Sequence, residues 1–480
     1  MTPTIVFGPI APELVLLVFA IGVLLAGVLP RRPSAAGLVG ASGVGLLLAA
    51  GAAILRWDRA TGGAVLAGSV ASDRFGIVVR LVVLAAAGLG LAFAYHQEGE
   101  ALRPEFGALV LFATFGMTLI GVATDLIVVF LALEILSLAL YVLTGLGARL
   151  GATEAALKYF LLGSFSSAFF LFGVAMAYGA ASTTRLAGVA AAISGGDGGV
   201  RALGLVAVLL LTVGFAFKVG AAPFHMWTPD VYEGAPTPVT AFMSAGTKVA
   251  AFAAFIRTFH VGFQPLAWDW TPIVAGIAAV SVVVGSVLAI AQTDVKRMLA
   301  YSSVAHAGFI LTGLVAPGQT GMSAALFYLV AYAGMILGAF GVVLLVQGRS
   351  EERSDLAALR GLSRRDPLLA ALLTVFLLSM AGIPPMAGFV AKLQVFRAAV
   401  DAGMVWLVLV GVLASVASAF FYLRVIVLMY MEEPEEATAV PAATAALRAA
   451  VAAPALVTLV LGLAPGPVLD LVRAASVIRW

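Results

Sequence analysis

Apolar residues in this chain do not alternate with polar ones. They run in continuous blocks of about 18 or more, the length of a helix that crosses a bilayer. The blocks fall near 11–30, 35–55, 75–95, 105–122, 125–145, 156–180, 202–227, 238–260, 271–291, 298–316, 320–347, 367–400, 403–430 and 449–472. The pattern therefore predicts about fourteen transmembrane helices. A β-barrel would need alternating strands, so the expected class is an all-α polytopic membrane protein. Two long blocks, 202–227 and 367–400, are interrupted by Gly and Pro. The longest polar connectors, 181–201, 348–366 and 431–447, are too short for a soluble domain. The second carries Arg349, Glu351, Glu352, Arg353, Asp355, Arg360, Arg364 and Arg365 and reads as an amphipathic segment on the membrane surface.

Composition agrees: 62% of the 480 residues are hydrophobic and 11% charged, against roughly 45–50% and 25% in soluble domains. A net charge of +3 gives no reason to expect nucleic acid as a partner. The absence of cysteine removes thiolate-held iron–sulfur clusters, and no cofactor or metal is expected in the chain. Arg31 and Arg32 follow the first apolar run and no basic residue precedes it, which reads as a retained helix and not a signal peptide. Connectors after odd-numbered helices hold thirteen Lys and Arg, those after even-numbered helices nine. The positive-inside bias then places both termini outside the cytoplasm. Trp57, Trp227, Trp268, Trp270 and Trp480 fall at span ends, as an interfacial belt requires.

Of 27 basic residues only five are lysine, and Lys218, Lys248 and Lys392 lie inside apolar spans. An ionisable group there costs about 2.5–3.5 kcal/mol on insertion scales. Arginine stays charged in any protein environment, whereas a desolvated lysine can release its proton. Glu134 is the acid expected deep in a span and is provisionally paired with Lys218. Lys158 is either a third member of that group or a snorkelling interfacial residue. Pro223, and Pro384 with Pro385, free backbone carbonyls that a bilayer tolerates only beside protein or water, so both breaks are expected at hydrated pockets. They share a Gly-x-x-Pro pattern, Gly220 to Pro223 and Gly382 to Pro385, at an offset of 385 − 223 = 162 residues. Such a spacing suits two inverted repeats. Ser302, Ser303 and His306 share a helix face and suggest a proton relay. His225 is expected near an interface, Arg424 as relay exit or structural cation, and His96 and His260 at the surface.

The run Phe217-Lys218-Val219-Gly220-Ala221-Ala222-Pro223-Phe224-His225-Met226-Trp227-Thr228-Pro229-Asp230-Val231-Tyr232-Glu233-Gly234-Ala235-Pro236-Thr237-Pro238, continuing to Lys248, resembles the antiporter-like subunits of proton-pumping NADH:quinone oxidoreductase, respiratory complex I. The segment from Arg297 to Gly308 is similar to the family's second hallmark. The N type fits best, because M types have glutamate where Lys392 stands and L types extend past helix fourteen. The resemblance implies proton translocation coupled to quinone reduction elsewhere in the complex. It implies Glu134 and Lys218 as a coupled pair, Lys248 as the connecting lysine and Lys392 as the terminal carrier. Other complex I membrane subunits are the implied partners, in a bacterial inner membrane. A subunit of a multisubunit sodium/proton antiporter is the alternative. The implied division is 1–104 (helices 1–3), 105–260 and 261–430 (two inverted five-helix repeats, each with a broken helix) and 431–480 (connector and helix 14). The glycine-rich connector at 194–199 has no evident role.

This reading predicts that Lys218→Arg impairs proton transfer nearly as badly as Lys218→Ala, since charge is kept but deprotonation is lost. Proton uptake coupled to quinone reduction in vesicles distinguishes this from a fixed ion pair, which Arg would preserve.

Overall fold

A computed structural model describes residues 7–478 except 61, 100–101, 148, 348–353 and 434–442. The helices are α1 (Ala11–Val28), α2 (Ala35–Ile54), α3 (Arg74–Glu98), α4 (Glu105–Val122), α5 (Leu126–Thr144), α6 (Leu150–Ala181), α7 (Leu186–Gly195), α8 (Gly198–Val219), α9 (Trp227–Gly234) and α10 (Thr237–Arg257). They continue with α11 (Ala267–Ile290), α12 (Val295–Leu314), α13 (Gly318–Gln347), α14 (Leu362–Arg365), α15 (Pro367–Ala381), α16 (Ala387–Asp401), α17 (Val405–Met431), α18 (Ala445–Leu463) and α19 (Gly466–Ala475). A two-stranded hairpin, β1 (Ala64–Val65) and β2 (Val70–Ala71), lies between α2 and α3. Among the described residues twelve segments are long and apolar enough to cross a membrane. Adding α12 and the broken α15–α16 gives the fourteen crossings expected.

Both interrupted crossings break where Gly and Pro demand it. α8 ends on Gly220 (φ 69°) and α15 on Gly382 (φ 86°), left-handed positions that a side chain resists, and neither following proline can donate to the helix ladder. A second device also recurs in the two halves. Leu126 and Leu186 donate to the Thr184 and Thr124 carbonyls, each at 2.9 Å, while Val295 and Leu356 donate to Ser354 and Thr293, each at 2.7 Å. An aspartate caps the helix at each clip: Asp125 opens α5 and binds the Thr184 hydroxyl, and Asp294 opens α12 and binds the Ser354 hydroxyl. The clips are 294 − 125 = 169 residues apart, close to the 162 of the breaks. Five crossings separate them, so one clip closes each face of the bundle.

Burial decides the centre. Every residue of α10 is buried, which makes it the axial helix of the bundle and makes any charge on it a central charge. Two ion pairs tie outer helices to this core. Arg80 on α3 grips Glu13 on α1 with bonds of 2.8 and 2.9 Å, and Arg257 at the end of α10 grips Asp73, the N-cap of α3, at 2.7 and 3.0 Å. Glu13, in the first turn of α1, is more completely buried than Glu134, which lies midway along α5.

Several expectations change. The block 449–472 is two helices, α18 stopping at Leu463 before Pro465. Trp227 and Trp270 do not join a belt: both are buried and their indoles donate to the Phe217 and Phe263 carbonyls. Trp268, 89% exposed, and Trp406, 50% exposed, are placed as belt residues would be, and Trp480 lies outside the described residues. His260 is half-buried, its Nε2 2.9 Å from the Leu314 carbonyl and its ring against Trp270. Within the 348–366 connector, Leu356, Leu359 and Leu362 are buried, so this part is clipped into the bundle; Arg349, Glu351, Glu352 and Arg353 lie outside the described residues. The glycine-rich connector acquires a role as the turn from α7 into α8, with Asp197 capping α8 through the Gly199 and Val200 amides.

Glu13→Ala leaves the Arg80 guanidinium without its carboxylate in an apolar site, which costs about 3–5 kcal/mol. Thermal unfolding in detergent should show this loss, and Glu13→Ala with Arg80→Leu should recover much of it.

Candidate functional site

Glu134, the three lysines placed inside spans and His306 lie along one row through the bundle, apart from the buried pairs Glu13 with Arg80 and Asp73 with Arg257. Glu134 starts it on α5, half-buried, accepting from the Ser167 hydroxyl of α6. One turn further, Ser137 faces Lys218, whose ammonium donates to Ser137 Oγ at 2.7 Å while the same hydroxyl donates to the Leu133 carbonyl. Glu134 and Lys218 thus bind different hydroxyls, Ser167 and Ser137, and make no direct ion pair, so the pairing expected from the sequence is not a direct contact. Lys218 sits in the last turn of α8, two residues before Gly220, with the rings of Tyr141 and Phe217 each 5.7 Å from its nitrogen.

Lys248, at the middle of the axial helix, donates to the Ser303 carbonyl of α12 at 2.5 Å and lies 5.2 Å from the centre of the Tyr332 ring. Tyr332 in turn donates to Ser303 Oγ at 2.9 Å. His306, one turn on, is held at both ring nitrogens: Nδ1 is 2.8 Å from the Tyr328 hydroxyl and Nε2 3.4 Å from that of Tyr422, which also bonds Ser302. Phe309 separates this cluster from Lys392, its ring 6.1 Å from that of His306 and 4.6 Å from the Lys392 nitrogen. Lys392, on α16, donates to the Ala381 carbonyl at 2.9 Å. That carbonyl is one of those freed by the proline break, so the lysine satisfies the group that the break exposes.

Lys158 stands apart. α6 begins at Leu150, so Lys158 lies in its third turn, 43% exposed, binding Glu154 at 2.8 Å and Asp230 at 2.9 Å. Arg297 joins it by holding Asp230 and Glu233, each at 2.8 Å, around a surface depression of about 580 Å³. Asp294 lines this depression, and burial pushes its carboxyl above the usual range despite the Ser354 and Arg297 donors. Lys158 thus belongs to this surface network and not to the buried row. His225 is half-buried beside Tyr301, and Arg424 is a structural cation that donates to the Ile290 and Gln292 carbonyls at the end of α11.

Sequence reasoning missed Lys296, which α12 buries in its first turn with its nitrogen 2.6 Å from the Ala235 carbonyl. It missed Tyr328, Tyr332 and Tyr422 as well. The first two are spaced four apart on α13 and so share a face, a signal available in the sequence. Nothing in the chain order marks that face as the one turned to His306.

Buried amines, a helix break at either end and hydroxyls between them define a cation-translocating membrane subunit of antiporter-like fold. The chain belongs to the NADH:quinone oxidoreductase/Mrp antiporter transmembrane family, whose profile matches residues 123–418. It is 53% identical over 388 residues to the NADH-quinone oxidoreductase subunit N of Rhodococcus opacus, covering 79% of this chain and 72% of that protein. Similarity to the subunit N of Trichlorobacter lovleyi is 42% over 475 residues, 98% of this chain and 97% of that one. Among solved structures, a chain of respiratory complex I from Thermus thermophilus with bound aureothin superposes with a TM-score of 0.83 at 39% identity, over 97% of this chain and all of that one.

Tyr328→Phe removes the short bond at His306 Nδ1 and should slow proton translocation in sealed vesicles roughly two- to tenfold, the worth of one hydrogen bond in the transfer step. Tyr328→Phe with unchanged initial rates would exclude the His306 cluster from the path.

Proposed function

We propose that this chain is the N-type, proton-translocating membrane subunit of an NADH:quinone oxidoreductase, passing protons along the row Glu134, Lys218, Lys248, His306 and Lys392. The carrying observation is the row itself, in which five ionisable groups on five different helices follow one another through hydroxyls, a carbonyl, an aromatic ring and, between Lys218 and Lys248, a shared cavity. Lys158 is assigned to proton collection at the surface network. The other complex I membrane subunits are its partners, and the electrons move in subunits other than this cysteine-free chain.

The geometry supports a switch at Ser137. A carboxylate close to an amine favours the ammonium form, and its withdrawal leaves a buried amine to favour the neutral form. Glu134, half-buried and held by Ser167, would exchange that partner for the Ser137 side, one turn along the same helix. Movement of one charge by a few ångströms then changes the proton occupancy of Lys218, and a change of one pKa unit corresponds to about 1.36 kcal/mol. From Lys218 the proton passes to Lys248, the His306 cluster and Lys392. The matched clips and breaks support dividing the chain into 1–104, repeats 105–260 and 261–430, and 431–480. Both termini are assigned to the side opposite the cytoplasm. With buried Lys296 and Arg257 set aside, the basic residues still divide twelve to eight.

Glu134→Gln in the assembled complex tests the switch. NADH-driven proton uptake should fall severalfold while the subunit still assembles, and normal rate and stoichiometry would reject the assignment. The same vesicles decide against the antiporter alternative: sodium movement without NADH or quinone would support a sodium/proton exchanger.

A further inference from the structure

Between Lys218 and Lys248 the row has no direct hydrogen bond, and the space between them is built in a particular way. Tyr159, Gly220, Thr228, Tyr232 and Thr247 join the two lysines around a cavity of about 10 Å³, counted as the space open to the centre of a water molecule. Three hydroxyls that line it, those of Tyr159, Thr228 and Thr247, are buried and have no hydrogen-bond partner within the chain. A buried hydroxyl left without a partner is destabilising, so three around one cavity is an arrangement that a protein retains only when something fills it. One water needs about 10–15 Å³ measured in this way and two to four polar partners. The cavity meets both conditions.

Local structure explains why the hydroxyls converge. Thr228 belongs to the first turn of α9, after the break, and Gly220 lets it close in: a Cβ on Gly220 would stand 2.9 Å from Thr228 Oγ1. Thr247 immediately precedes Lys248 on the axial helix. Tyr159 is fixed by stacking on Trp227 at 4.7 Å and by the edge of Tyr141 at 4.7 Å. Three separate elements thus each bring one residue with an unpartnered hydroxyl to the lining of the cavity that both lysines share.

We propose that Tyr159, Thr228 and Thr247 form a single-water site that carries the proton from Lys218 to Lys248, with the three hydroxyls as positioning residues. Lys218 in its ammonium form gives a proton to the water as the water gives one to neutral Lys248. No oxidant or co-reactant is needed, and charge is conserved across the step. The site has room for one water, so transfer depends on hydroxyl placement more than on bulk hydration. This inference rests on the proposed proton-translocating role and adds to it the residues that set the Lys218-to-Lys248 step.

Intact complex in sealed vesicles provides the test, with initial rates of NADH-driven proton uptake compared for Thr247→Val, Thr247→Ser and Lys248→Ala. Valine keeps the volume and loses the hydroxyl; serine keeps the hydroxyl. Thr247→Val should slow uptake roughly two- to tenfold and Thr247→Ser should restore most of it. A purely packing role predicts the reverse order, because serine loses the methyl. If Lys248→Ala is impaired and Thr247→Val runs at the unaltered rate, the water site is wrong and the translocating role stands. If Lys248→Ala pumps normally, the underlying reading fails as well. Should Thr247→Val not assemble, Tyr159→Phe and Thr228→Val take its place with the same expected loss. Density for ordered water in the intact complex gives an independent decision: a water within hydrogen-bond distance of two of the three hydroxyls supports the site, and a dry cavity overturns it.

Discussion

A polar atom inside a bilayer has to find its partner within the protein, and most of this structure follows from that constraint. Continuous helices satisfy it automatically. Each break suspends it for a few residues, and the structure answers with specific donors. The Phe217 carbonyl takes the Trp227 indole, the Ala381 carbonyl takes Lys392, and the amides of Ala222 and Gly388 find Ser281 and Ser379. The lysines are held by the same rule: Lys392 takes an acceptor that the second break supplies, Lys218 the Ser137 hydroxyl and Lys248 the Ser303 carbonyl. Conversely, the breaks persist because lysine, tryptophan and serine supply partners. Site and scaffold are the same set of bonds.

The sequence made the breaks and the ionisable residues legible because both are exceptions to a strong local rule. A lysine in an apolar run, or Gly and Pro in a helix, stands out without knowledge of any neighbour. Tyr332, Thr228, Thr247 and Ser167 do not stand out, since hydroxyls are ordinary in membrane helices and gain meaning only from the facing helix. The pairs Glu13 with Arg80 and Asp73 with Arg257 were invisible for a related reason, the second joining residues 184 apart in the chain. Trp227 and Trp270 misled because a tryptophan at a span end looks the same whether its ring faces lipid or the next helix. Helical spacing already puts Ser137 on the Glu134 face, but that its hydroxyl is the group Lys218 binds could be found only in three dimensions.

The repetition of the clip and the break gives two half-structures built to one plan, yet their lysines are not placed alike. Lys218 lies two residues before its glycine and meets a hydroxyl; Lys392 lies ten residues after its glycine and meets a carbonyl. The chemical difference is large. A hydroxyl can accept from an ammonium group and, by rotating its proton, donate to a neutral amine, so Ser137 serves Lys218 in both protonation states. A carbonyl only accepts. Lys392 can keep that bond whether charged or neutral, but the lone pair of the neutral amine finds no donor at Ala381.

It follows that the two lysines differ in how they hold the proton-free state. At Lys218 the neutral form is accommodated locally by the Ser137 hydroxyl. At Lys392 the neutral form needs a donor from elsewhere, and the Phe309 ring stands between it and the nearest imidazole. An aromatic face attracts the ammonium form and offers nothing to the amine. Both amines thus face aromatic rings, Tyr141 and Phe217 at Lys218 and Phe309 at Lys392, and what differs is the acceptor, a hydroxyl that can also donate against a carbonyl that cannot, although the backbone beneath them is built twice from the same pattern.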